Sequence, residues 1–441
     1  MSEEAENDNG PVAGYDDAMS QTAGAQPSHS ADASGVRSAD DPAGMAIPAV
    51  DGASPAARPR GWPGASSGPV TMGVLAFAVL VAAYTGFRMP NDWTATLDSV
   101  SVTDGFHRRF LVGTLLHPLA LATGYNYWVF AAKDFLVLGA LLAVLTVAVI
   151  KAKLVSQRLL VIGWLLLPTG GFLFNEVGYY DQVIYLLLFG ALWLVFRDRL
   201  VWACLLITAG VLVHEIAVLT VLPVFAMVVL RRLSLRRAIA LLLPPVLLGE
   251  FVLAVSPAAP GATARLSARL HTANFPFRAD ALALFDRTQR QTWQMYSVRD
   301  TLIYVAPFAL LAMLGLVLLS TADGGLAARP RSSRLAAVVP AAIACGAVGG
   351  PTLLAFAGWD QDRWGFLLVS NLVIVLWLQL RDSKRELGPA QAVTLAAALL
   401  VVTHIPLNYF DGFSPRPFQW PAVLQFASQV QDGSLVAIPP R

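Results

Sequence analysis

From Val70 to Leu407 the chain is a succession of long apolar runs, separated by short clusters of arginine and lysine. No other feature restricts the fold as much. A run of roughly 17–25 apolar residues matches the hydrocarbon thickness of a bilayer. Backbone placed in hydrocarbon must satisfy its own hydrogen bonds, so such runs become helices. The balance of residue types agrees. The chain of 441 residues is 56% hydrophobic and 14% charged, where soluble domains carry about 25% charged residues. The class expected is all-α: a polytopic integral membrane protein. Cys204 and Cys345 both fall in apolar runs and read as buried small hydrophobes. Net charge is +2, and with no basic tract or zinc spacing, nucleic acid is not an expected partner.

Organisation follows from the charges at the ends of the runs. Residues 1–69 are rich in Ala, Gly, Ser, Pro and acids, too poor in apolar surface to fold alone. Arg58 and Arg60 precede the first run, and basic residues beside a span favour the cytoplasmic side. The tail is therefore read as cytoplasmic. Residues 70–410 form the transmembrane domain, 256–300 a long extracytoplasmic loop, and 411–441 an extracytoplasmic C-terminal tail. Alternating the basic clusters inward gives about eleven spans of the ~20 residues a bilayer requires. The apolar stretch Arg108–Ala122 is short and contains Pro118; it is expected to lie along the membrane as a re-entrant or interfacial helix. Leu200–Leu230 must go out and back between two arginine clusters, its arms reaching only about 20–23 Å each. The apex of that hairpin is His214-Glu215. The competing arrangement is one long tilted helix.

The basic clusters and the mixed polar motifs fall on opposite sides of this map. Asp104-Gly105-Phe106-His107-Arg108-Arg109, Asn175-Glu176-Val177-Gly178-Tyr179-Tyr180-Asp181, His214-Glu215, Asp360-Gln361-Asp362-Arg363 and Asp411–Arg416 all fall outside. A single extracytoplasmic site assembled from several loops is expected. Ionisable groups in hydrocarbon are costly and persist where they face a cavity, a partner or a substrate. If a helix begins after Gly105, Arg108 and Arg109 point roughly 100° apart. One then grips a phosphate and the other snorkels to headgroups. Asp104 is the expected general base, with Asp92 and Asp98 in reserve. Glu176, Asp181, His214 and Glu215 are expected to orient hydroxyls or assist proton transfer. His107, Tyr180, Asp360 and Arg363 complete the substrate-binding set, Arg363 pairing with Asp104 or Asp181 or holding pyrophosphate. His214-Glu215 lacks the second histidine of a zinc motif, since Val218 stands there. The loop 256–300 carries an excess of arginine, including Arg265 and Arg269, and reads as anion-binding. No cofactor is expected. The carboxylates would accept a divalent metal, but no ligand spacing supports one.

A first span, an outer loop with an acid, a membrane-lying helix and then many spans with outer motifs resemble the GT-C class of membrane glycosyltransferases. The same organisation, over roughly residues 70–410, is similar to bacterial polymerases acting on polyprenyl-linked glycan units. The resemblance implies a polyprenyl-phosphate- or pyrophosphate-linked sugar donor, a glycan or lipid acceptor and a place in a bacterial plasma membrane. It implies that the carboxylate after the first span, Asp104 or Asp92, is the base. It also implies that Arg108, Arg109 and Arg363 contact the lipid pyrophosphate. A transporter or lipid-linked-sugar flippase is the alternative, given broken helices at Pro168–Gly171, Pro244-Pro245 and Gly349–Pro351. A non-catalytic assembly subunit is the third reading.

Overall fold

The computed structural model describes residues 68–106, 108–254, 261–279, 281–282, 306, 309–315, 331–356 and 361–404, all within one unit, Trp62–Arg441. The expected N- and C-terminal tails, most of the loop 256–300 and the expected span Thr301–Ser320, and the site candidates His107 and Asp360, lie outside the described residues. The helices are α1 Pro69–Gly86, α2 Asp92–Asp98, α3 Phe110–Thr123, α4 Tyr127–Lys151, α5 Val155–Leu166, α6 Pro168–Asn175, α7 Tyr180–Phe196, α8 Leu200–Val213, α9 Val221–Arg232, α10 Leu235–Ala254, α11 Ala262–Leu270, α12 Arg331–Gly349, α13 Gln361–Ser383 and α14 Pro389–His404. Short 3-10 turns occupy Val102–Asp104, Glu215–Val218 and Gly350–Phe356. Among the described residues 83% are helical and none forms a strand.

Among the described residues four helices are long and apolar enough to cross a bilayer: α1, α4, α10 and α13. The bent pair α5 and α6 makes a fifth if counted as one span. Of the about eleven spans expected, the described residues bear out a helical bundle with four or five helices of spanning length. Three others are too short. Phe110–Thr123, Tyr180–Phe196 and Leu200–Val213 are apolar but only 14, 17 and 14 residues long, and at 1.5 Å per residue they fall short of about 30 Å of hydrocarbon.

Local chemistry sets the breaks. Pro168 bars its predecessor from helical geometry. Leu167 is accordingly extended (φ −76°, ψ 167°), and α5 and α6 meet at a 60° bend. The bend wraps Trp164 and Phe172 around Phe366 of α13, ring centroids 5.8 and 4.8 Å apart. His214 is also extended and ends α8, so 200–230 is not one long helix. Asn91 and Asn126 cap α2 and α4 through their side-chain oxygens.

α13 is the axis of the bundle. Of its apolar window 83% is buried, against 22% for α1, α4 and α10. Protein rather than lipid surrounds it, which lets it carry Asn371 in full burial. That amide donates to the Thr220 and Ala347 carbonyls and accepts from the Tyr185 hydroxyl, tying α13 to α7, α12 and the chain before α9. At the other end Glu386 receives the Val155 and Ser156 amides at 2.7 and 2.9 Å, holding a carboxylate at the positive N-terminus of α5. Burial opposes its charge, but the hydrogen bonds from Ser156 and Val155 keep Glu386 below its ordinary carboxylate range.

α1 reaches α6 through glycine. A Cβ on Gly86 would overlap the carbonyl group of Gly171, a backbone-to-backbone approach typical of small residues between membrane helices. Gly86→Ala should therefore destabilise the bundle by about 1–3 kcal/mol. Gly73, on the same helix, has nothing within 4 Å of its Cβ position, and Gly73→Ala should be neutral or slightly stabilising. Melting both variants in detergent checks this, and equal melting points would contradict it.

Candidate functional site

Four segments far apart in the chain meet in one ionic chain. It starts just before α3. The structure begins that helix at Phe110 rather than after Gly105, and Arg109 is its N-cap in a left-handed conformation (φ 64°). Such a backbone is uncommon for a non-glycine residue and is held by its surroundings. In consequence both arginines converge instead of diverging. Arg109 Nε lies 3.0 Å from each oxygen of Glu215, and its Nη2 donates to Oε1 at 2.5 Å. Arg108 Nη1 is 3.9 Å from the same Oε1.

Glu215 follows the break at His214, and the two side chains touch, Nδ1 to Oε2 at 3.1 Å. The opposite ring nitrogen, Nε2, meets Arg363 Nη2 at 3.1 Å. An arginine only donates, so Nε2 is the acceptor and carries no hydrogen. The ring is then neutral with its proton on Nδ1, donated to Glu215. The Ile216 amide also approaches Nδ1, at 3.4 Å, and yields to the shorter contact with the carboxylate. Arg363 also donates to Asp181, Nε to Oδ2 at 2.5 Å and Nη2 to Oδ1 at 2.8 Å. Tyr179 and Trp364 flank its guanidinium at 5.0 and 5.6 Å. The sequence order is thus Arg108/Arg109 before α3, Asp181 opening α7, His214-Glu215 after α8 and Arg363 opening α13. Asp181, His214 and Arg363 are buried, while Arg108 and Arg109 keep some exposure.

Asp104 lies elsewhere. It closes the Val102–Asp104 turn in a capping box with Ser101, and Arg269 of α11 grips both carboxylate oxygens at 2.5 and 2.6 Å. Arg269 also donates to the Ser99 carbonyl, and Arg265, one turn earlier on α11, to the Asp104 carbonyl. These two loop arginines therefore meet Asp104. Arg363 pairs with Asp181, one of the two partners expected for it. Glu176 sits in the turn between α6 and α7 and accepts from Asn175 at 3.0 Å. Asp92 is buried at the start of α2.

A second cluster was not singled out in the sequence. Lys133 Nζ lies 2.9 and 2.8 Å from the oxygens of the reserve carboxylate Asp98 and contacts Asp134 Oδ1. Burial pushes the Asp98 carboxyl above its ordinary range, against the pull of the Lys133 ammonium. The signal existed: Lys133-Asp134 interrupts an apolar run just as His214-Glu215 does. Tyr180 separates the two clusters. Lys133 lies 5.8 Å over its ring, and His214 meets it edge-on at 6.4 Å. Gly178 (φ 95°) lets the backbone pass, since a Cβ there would lie 2.8 Å from both Asp134 Oδ2 and Thr94 Oγ1.

An apolar cavity of about 50 Å³ lies between α4, α5, α7 and α13, lined chiefly by side chains such as Leu141, Trp164, Phe189 and Phe366. Neither ionic cluster lines it. Chemically, the Arg108–Arg109–Glu215 end brings two arginines to one carboxylate and is the part with access to solvent. It suits an anion. The neutral imidazole behind Glu215 can share a proton with it. Comparison of the chain with family models, with curated proteins and with solved structures returns no match.

Proposed function

We propose that the protein is a membrane glycosyltransferase or glycan polymerase that takes its sugar from a polyprenyl-phosphate- or pyrophosphate-linked donor. In this reading it works at the extracytoplasmic face of a bacterial membrane. The observation that carries the reading is the convergence of Arg108 and Arg109 on Glu215. Two guanidinium forks suit a phosphate or pyrophosphate, and the apolar bundle keeps such a donor's lipid in the bilayer.

In the resting state Glu215 stands where the donor phosphate would bind. A phosphate taking over Arg108 and Arg109 frees Glu215 to accept the proton of the acceptor hydroxyl. The acceptor oxygen then bonds to the sugar's anomeric carbon as the carbon–oxygen bond to phosphate breaks. The arginines stabilise the charge left on the phosphate. His214, fixed by Arg363 and Asp181, supports Glu215 as a base. Asp104 remains the rival base. Its partners, Arg269 and a backbone amide, are poor proton acceptors, so Glu215 is the better choice.

The test is a deletion strain complemented with the wild type or with Arg109→Ala, followed by analysis of envelope glycans and lipid-linked sugars. The expected result is a glycan lost or shortened in both the deletion and the variant, with donor accumulating outside. Donor accumulating on the cytoplasmic face would instead establish a flippase, the second reading, which the buried polar groups within the bundle favour.

A further inference from the structure

The Asp98–Lys133–Asp134 cluster has no role in the reading above, and its charges do not balance. Two carboxylates face one ammonium. Asp98 is 0% exposed and Asp134 1%. Lys133 is spent on both, so neither carboxylate has a cation to itself. Asp134 is the less satisfied. Among the described residues neither Asp98 Oδ2 nor Asp134 Oδ2 has a hydrogen-bond partner, but Lys133 reaches both oxygens of Asp98 and only one of Asp134. Two neighbouring hydroxyls have no hydrogen to give it. Thr94 donates its hydroxyl proton to the Asn91 carbonyl at 2.8 Å, and Tyr127 donates its own to the Pro90 carbonyl at 2.5 Å.

Among the described residues the groups around the cluster supply no second cation at contact distance. On α2 they are Asp98 and, farther off, Asp92. On α4 they are Lys133 and Tyr127. From α7 the Tyr180 hydroxyl faces Asp98. Arg109 is felt only from beyond Tyr180 and is engaged by Glu215. Among the described residues no third His, Cys, Asp or Glu joins the two carboxylates to make a metal-ligand set. An isolated carboxylate out of water neutralises rather than stay charged.

We propose that Asp98, Lys133 and Asp134 form a proton-binding site, in which the two carboxylates hold one proton between them at neutral pH while Lys133 stays an ammonium. The site is then neutral overall. The proton resides mainly on Asp134, which Lys133 meets at one oxygen where it meets Asp98 at two, and the pair titrates as a unit. Tyr180 is the single ring between this site and His214, so loss of the proton places a net negative charge one side chain away from the neutral imidazole.

Infrared spectroscopy of the full-length protein in nanodiscs tests the proposal. At neutral pH the wild type should show the carbonyl stretch of a protonated carboxylic acid, shifted in deuterium oxide. Charge balance predicts that Asp134→Asn and Asp98→Asn each lose the band, because one carboxylate then matches one ammonium. Lys133→Met should intensify it about two-fold, since both carboxylates must then be neutral. If one variant fails to fold, the other two still decide. Identical carboxylic-acid absorption in the wild type and the single Asp→Asn variants, or no rise in Lys133→Met, would overturn the proposal.

Discussion

Replacing Arg363 with methionine should destabilise the folded bundle by about 3–5 kcal/mol, the cost of leaving a buried charge without its partner. Arg363 meets Asp181 through two hydrogen bonds and His214 through a third, all at the N-terminal end of the most buried helix. Without it Asp181 must either stay charged with no cation beside it or take up a proton, both at a cost, and His214 Nε2 loses its donor. Methionine keeps the packing volume of the stem, so the loss reports charge and hydrogen bonding rather than a cavity. Adding Asp181→Asn to the same chain removes the stranded carboxylate and should recover much of the stability. Thermal melting of the single and double variants in detergent is the measurement. If the double variant melts no higher than Arg363→Met, the pair is not coupled and the ionic chain is not a structural unit.

On the proposed transferase reading, Glu215→Gln should lower the rate of transfer by about 10²–10⁴-fold, the usual contribution of a positioned general base. The amide keeps the shape of the side chain and can still hydrogen-bond to Arg109, but it takes no proton. The same change removes the carboxylate that Arg108 and Arg109 share. Affinity for a phosphate-bearing donor should therefore rise, or KM fall, while kcat collapses. A residue with only a structural role would lower both stability and affinity together. Turnover at the wild-type rate would remove Glu215 from the chemistry and return the role of base to Asp104. Both arms need steady-state kinetics on the purified protein with a lipid-linked sugar donor.

How much of this was legible beforehand depends on the range of each interaction. His214-Glu215 could be found because a charged pair inside an apolar run is conspicuous wherever the chain goes. Lys133-Asp134 answers to the same rule and was passed over, being close to the start of its span and easily taken for a flanking pair. The behaviour of Arg108 and Arg109 was misread through a local detail. Their divergence assumed a helix from Gly105, whereas the helix starts at Phe110, and the left-handed Arg109 turns both side chains toward Glu215. Asp104 looked like a free base because its partner, Arg269, comes 165 residues later, from a loop in which no single arginine stood out.

The sequence by itself determined the membrane class, the helical content and most of the breaks. Those depend on hydrocarbon solvation and on hydrogen bonds between residues three or four apart, which a short window contains. Pro168 ends α5, and Asn91 and Asn126 start α2 and α4, whatever lies elsewhere in the chain. Only the tertiary structure decided which charges neutralise which. Arg109 finds Glu215, Asp181 finds Arg363 and Lys133 finds Asp98 across separations of 106, 182 and 35 residues. Any arginine could pair with any carboxylate by composition alone. The choice was made by the packing around α13, because a buried charge has no water to fall back on and must take the partner that the fold brings within about 3 Å.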